Sequence, residues 1–199
     1  MKALGTNYRN AEVTGDFRKL PAGGYIGVIT GVEDKVDKEY LNITYDIAEG
    51  EFRAFYNDEW GKEHPYAHSF VRSYKQTGDK DKDKKIMGMF KGFLRKIDND
   101  NGTHFEGQAE TGLNEKELIG KKLGLVLGYE EYNSDRGEVR ERLRVVFVKP
   151  IVDIRSGNFE IPEVKRLVGE VGISGVSTVT YTATPPVGFE AISASDIPF

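Results

Sequence analysis

Three arginines recur at alternate positions, Arg140, Arg142 and Arg144. On an extended strand that spacing puts all three guanidinium groups on one face, where each can grip phosphate oxygens in bidentate fashion. A second cluster mixes charge with rings: Arg53, Phe55, Tyr56 and Trp60 fall within eight positions, and Tyr40 stands beside Asn42 and Thr44. Aromatic faces on which bases stack, with cations along the backbone track, are what a single-stranded nucleic acid needs; each stacked base contributes about 1–3 kcal/mol. Lys122 follows Lys121 at the head of an apolar run, Lys35 and Lys38 flank a charged turn, and Tyr132 and Arg136 occupy a later one. Each of these residues also has a plain structural use. A small β-domain buries rings such as Phe55, Tyr56 and Trp60, and Glu138 and Glu141 interleave the arginines as on any solvated strand face.

Catalytic and metal-binding patterns are weak. His64 and His68 have the spacing of a metal pair on a helix, but Pro65 lies between them and no His-Glu-x-x-His motif occurs. Asp79, Asp81 and Asp83 mimic the start of a calcium loop, yet the sixth position is Lys84 instead of glycine and the twelfth is Phe90 instead of glutamate. The Gly-Lys-Ser/Thr ending of a phosphate-cradling loop is missing. The expectation is a binding protein without metal or cofactor. Abundant carboxylates keep a metal-dependent nuclease as the competing enzymatic reading.

The 199 residues suffice for one compact domain with an extension. Hydrophobic residues make up 38% and charged residues 30%, which suits a modest core with a polar remainder. Most of the net charge of −4 lies toward the end of the chain: residues 151–199 hold three cations against six acids, leaving −1 for residues 1–150. A nearly neutral body binds polyanions only if its cations gather on one face, so the total neither supports nor excludes DNA. There are no cysteines, hence no disulfides or thiolate metal sites. No apolar run is long enough to cross a bilayer and no signal-peptide pattern opens the chain, so a cytoplasmic location is expected.

The elements that must position these residues read mainly as strands. Residues 1–22 form a polar arm. A glycine-rich first strand starts at Gly23; Leu41, Ile43, Tyr45 and Ile47 alternate cleanly in a second; and Glu51 to Tyr56 reads as a third. Asn57 to Tyr74 has no settled period, with a short helix near 67–74. Gly78 to Lys85 reads as a solvated loop. Ile86, Met89, Phe90, Phe93, Leu94 and Ile97 predict an amphipathic helix. Asn114 to Glu117 offers one capped helical turn. Leu123 to Tyr129 gives a fourth strand, and Leu143, Val145 and Phe147 alternate with the arginines in a fifth. Three strands, a helix and two more strands is the order of an OB-fold, a five-stranded Greek-key barrel with a helix inserted between strands 3 and 4. That domain spans residues 23–150, and an antiparallel α+β sandwich is the alternative. Phe159, Ile161 and Val164 anchor a packed extension over 151–167, and the Gly, Ser, Thr and Pro-rich residues 168–195 read as a flexible tether.

The chain ends in Asp196-Ile197-Pro198-Phe199. Two carboxylates, a φ-restricted proline and a terminal ring suit a basic-rimmed apolar pocket on a partner. This ending resembles the C-terminal tip of bacterial-type single-stranded DNA-binding proteins, with one Asp in place of their acidic run. Tyr40-Leu-Asn-Ile-Thr-Tyr-Asp-Ile-Ala-Glu-Gly-Glu-Phe52 and Phe90-Lys-Gly-Phe-Leu94 are similar to stretches of small proteins from phages and mobile elements of low-GC bacteria. The resemblance implies an OB-fold protein that coats single-stranded DNA and, through its tip, recruits replication, recombination and repair proteins. From the lack of a long apolar run no membrane partner is expected, and self-association is left open. An adaptor using the tip without DNA is a third reading.

Overall fold

The computed structural model describes residues 19–167. Most of the expected arm, the tether and the tip Asp196–Phe199 lie outside the described residues. The protein is mainly β. Five antiparallel strands, β1 (Gly23–Lys35), β2 (Tyr40–Ile47), β3 (Ser69–Ser73), β4 (Lys122–Asn133) and β5 (Val139–Lys149), form one sheet in the order β3-β2-β1-β4-β5. β1 is the hub, pairing with β4 through Gly23–Val28 and with β2 through Gly27–Lys35. Bulges break register between Ile29 and Gly31 on β1, and between Val126 and Leu127 on β4; such extra residues sharpen strand bend and twist. No ladder among the described residues joins the outer strands β3 and β5, although their Cα atoms come within 8 Å of one another.

The third strand is not where alternation placed it. Residues 51–56 form turns, with Ala54 in the left-handed region at φ 57° and its N–H donating to the Ile47 carbonyl. Their rings turn inward instead of forming a ladder. β3 lies at Ser69–Ser73, part of the stretch read as a short helix, where Phe70 pairs with Ile43.

Between β3 and β4 runs the principal helix, here named α2 because the short α1 (Glu59–Glu63) precedes it; α2 covers Lys80–Asn101. It starts earlier than the apolar period suggests because Asp79 caps it, accepting from the Asp81 and Lys82 N–H groups. Gly102, at φ 66°, ends it in the left-handed conformation. Phe93, Leu94 and Ile97 of α2 are buried against Leu41, Ile43, Tyr45, Ile47 and Phe70 and against Leu123, Leu125 and Leu127. Each such side chain contributes about 1.5–3 kcal/mol by leaving water. Asn101 ties the helix end to β4: its amide donates to the Lys122 carbonyl and its oxygen accepts from the Lys122 N–H.

The opposite face of β1 and β4 carries Ile26 and Val126, both buried. A segment starting with α4 (Ile151–Ser156; α3 is Phe105–Gln108) crosses that face on glycines. A Cβ at Gly24 would meet the Phe159 ring at 2.4 Å, and one at Gly128 would meet Pro162 at 2.6 Å. Lys165 then bridges to β4, donating its N–H to the Tyr129 carbonyl and accepting from the Glu131 N–H. Phe159 and Pro162 are the anchors here; Ile161 and Val164 remain exposed or nearly so.

Candidate nucleic-acid interface

The β4–β5 ladder sets Tyr132 opposite Arg140, Glu130 opposite Arg142 and Gly128 opposite Arg144. Directly paired residues share a face, so the three arginines and the tyrosine project together. The Arg142 guanidinium lies 5.2 Å from the Tyr132 ring centroid, within cation–π range. Glu130 is buried at the base of this face and binds Arg142 at 3.2 Å, Arg144 at 2.5 Å and Lys165 at 3.2 Å. Burial raises its carboxyl pKa, but the bonds and charges of Arg144, Lys165 and Arg142 outweigh this and hold it below the ordinary value. Arg140 pairs with Glu138 at 2.7 Å. Four cations thus meet two carboxylates, and the surplus is positive. The cationic side chains stay 45–64% exposed. The Arg140–Glu138 pair is exposed on both sides and holds weakly, and the other guanidinium groups keep donors open to solvent that a phosphate can bind.

Phe147 joins this face, and the sequence reading missed it by assigning the residue to the core phase. The β4–β5 register slips so that Leu127 pairs with Val145 and Val126 with Phe147, leaving Val146 unpaired. Val146 and Phe147 are consequently both exposed, at 39% and 45%. The signal was the unbroken run Val145-Val146-Phe147-Val148, which simple alternation does not produce.

Other predicted residues scatter. Lys35 and Tyr40 are cross-strand partners at the β1–β2 tip, where Lys35 is paired with Glu33 and Lys38 is exposed in the 3₁₀ turn. That tip lies at the Lys35 end of β1, whereas β4 runs on past the Gly23 end toward Tyr132 and the exposed Arg136. Register alone therefore does not bring the two tips together. Lys122 shares Glu49 with Arg155, at 2.9 and 3.1 Å respectively. Arg53 is exposed on the turn after β2, and Trp60 lies on α1.

Tyr56 is a packing residue, which removes it from the base-stacking set. It is 8% exposed, stacks on His68 at 4.5 Å, meets Tyr45 edge-on at 5.9 Å, and donates its N–H to Asp46 Oδ1. Burial pushes its hydroxyl up to about 12. Phe55, 5.0 Å from Tyr56, is half-buried in the same aromatic chain. These rings were adjacent in sequence because the turn folds them onto one core wall.

His64 and His68 sit at and just inside a 3₁₀ turn, not on an α-helix, and His68 is buried with its Nδ1 unpartnered. Burial also holds its imidazole below the ordinary value. Among the described residues no three His, Cys, Asp or Glu side chains are grouped to hold a metal ion, and no helix is long and apolar enough to cross a membrane. No protein-family model, curated protein or solved structure matches the chain.

Proposed function

We propose that this protein binds single-stranded DNA with little sequence preference and passes it to replication, recombination and repair proteins through Asp196, Ile197, Pro198 and Phe199. The observation that carries the reading is the β4–β5 face, where Arg140, Arg142 and Arg144 flank Tyr132 and the bulge adds Phe147. Rings that accept any base, set among guanidinium groups, favour a strand whose bases are unpaired. In this reading the sheet is an OB-type barrel. The strand order, the helix between β3 and β4, the bulged hub strand and the near approach of β3 and β5 all favour closure.

Titration with oligo-dT, followed by the fluorescence of Trp60, tests the reading, with duplex DNA of equal length as competitor. Saturable binding that duplex DNA competes for poorly is the expected result. Absence of binding up to about 100 μM at low salt, the weak end of non-specific association, would remove it. Deleting residues 196–199 should leave DNA affinity unchanged or slightly higher while abolishing partner recruitment.

A further inference from the structure

A cleft of about 490 Å³ opens between the β1–β2 tip, the middle of α2 and the stretch 109–115 that follows α3. Its floor is apolar: Leu41 of β2, Met87, Phe90 and Leu94 of α2, and Leu113. The walls are tied to one another. Tyr74, just past β3, donates its N–H to the Glu39 carbonyl and its hydroxyl to Asp34 Oδ1 at 2.5 Å. Its ring meets Phe90 of α2 edge-on at 5.8 Å, and Asp34 is the cross-strand partner of Leu41. An apolar hollow of roughly 300–1,000 Å³ with a few fixed polar groups is the usual form of a ligand site.

One sign of charge surrounds this floor. Asp34, Glu39, Glu110 and Glu115 line it, and a fifth carboxylate, Glu106, is already bound by Arg95 and Lys91. Lys91 is the one cation of the lining. A cleft lined by one sign of charge concentrates ions of the other. Phosphate is repelled here, and the arginine face lies on β4 and β5 past the opposite end of β1, so a nucleic acid is not the occupant. A bare ammonium or metal ion gains nothing from the apolar floor. We infer that the cleft docks a short segment of a partner protein in which an arginine stands beside an apolar side chain. The apolar residue covers Met87, Phe90 and Leu113, and the guanidinium lies among the carboxylates and against the Tyr74 ring. Among the described residues, this chain's own run of that kind, Arg142-Leu143-Arg144-Val145, is held in the β4–β5 ladder and bonded to Glu130, which makes a second copy the poorer fit.

The test uses the full chain and two fluorescein-labelled peptides, Gly-Arg-Leu-Arg-Phe-Gly and Gly-Arg-Gly-Arg-Gly-Gly. Anisotropy should show the first binding wild type with a Kd of about 100 μM or tighter, and the second about tenfold more weakly. A Glu39→Gln/Glu110→Gln/Glu115→Gln variant should lose about tenfold in affinity for the first peptide. Glu63→Gln/Glu160→Gln/Glu163→Gln changes the net charge equally at exposed positions outside the cleft and should bind like wild type. Equal affinity of the two peptides, equal affinity of the two variants, or no binding by wild type up to about 1 mM would each overturn the inference. Spermidine that displaces the peptide as well as unlabelled peptide does would make a free polyamine the ligand. A dimer in light scattering that Met87→Lys dissociates would make it a second copy. Either result also overturns the inference. None of these readouts involves DNA, so they decide the site independently of the proposed function.

Discussion

The guanidinium of Arg142 stands 5.2 Å from the ring centroid of Tyr132, the two being diagonal neighbours on one face of the β4–β5 ribbon. Arg142 is also bonded to Glu130, so one cation is oriented by a ring and a carboxylate together. Tyr132→Ala should therefore reduce oligo-dT affinity by about 1–3 kcal/mol, the value of one stacked base. Arg142→Ala should weaken binding equally for all sequences and reduce the salt slope by about 0.7. Fluorescence anisotropy over a salt series separates the two effects.

Glu130 orders three cations of this face and offsets part of their charge. Glu130→Gln leaves Arg142, Arg144 and Lys165 without their shared anion. DNA affinity at low salt should rise. Stability should drop by about 1–3 kcal/mol, because the carboxylate is buried although its cationic partners are exposed, which lowers the melting temperature by several degrees. Parallel melts and titrations check both signs.

Acid should unfold the protein through its paired glutamates. A bidentate bond from Arg95, with added help from Lys91, holds Glu106 at about 2 against the ordinary 4.5, despite some desolvation. Glu130 is likewise depressed. A carboxyl lowered in the folded state stabilises fully above its unfolded pKa and loses that contribution as pH falls through the folded value. Urea midpoints should thus decline from about pH 4.5 toward pH 2, and Arg95→Ala should make the decline shallower.

The outer face of β4 has no room for side chains where the C-terminal segment starts across it. A methyl group at Gly124 would stand 2.5 Å from the Lys149 carbonyl oxygen, a backbone atom that cannot swing away. Gly124→Ala should cost about 1–3 kcal/mol by overpacking. Gly88, in α2 with open space around it, is the control. There alanine should stabilise by about 0.5–1 kcal/mol. Chemical denaturation of both variants gives the comparison.

Strands whose two faces differ were readable in advance. β2 alternates Leu41, Ile43, Tyr45 and Ile47 with polar partners, and its register follows that pattern. β3 was not readable, because a five-residue strand with one buried ring carries too little period, whereas Phe52, Phe55 and Tyr56 imitate a strand while lining the core from a turn. The first turn of α2 was hidden because its Asp and Lys residues are exposed and only the Asp79 cap marks the start. The arginine face was legible since strand spacing fixes it. Phe147 was not, because the bulge that turns it outward is set by cross-strand pairing.

The central claim, that the β4–β5 arginine face grips unpaired nucleotide chains, is tested most directly by titrating oligo-dT against wild type and an Arg140→Gln/Arg142→Gln/Arg144→Gln variant at several salt concentrations. The account predicts tight, salt-sensitive binding by wild type and, in the variant, a slope smaller by about 2 for three lost contacts. Equal affinity and equal slope in the two proteins, with both folded, would contradict it.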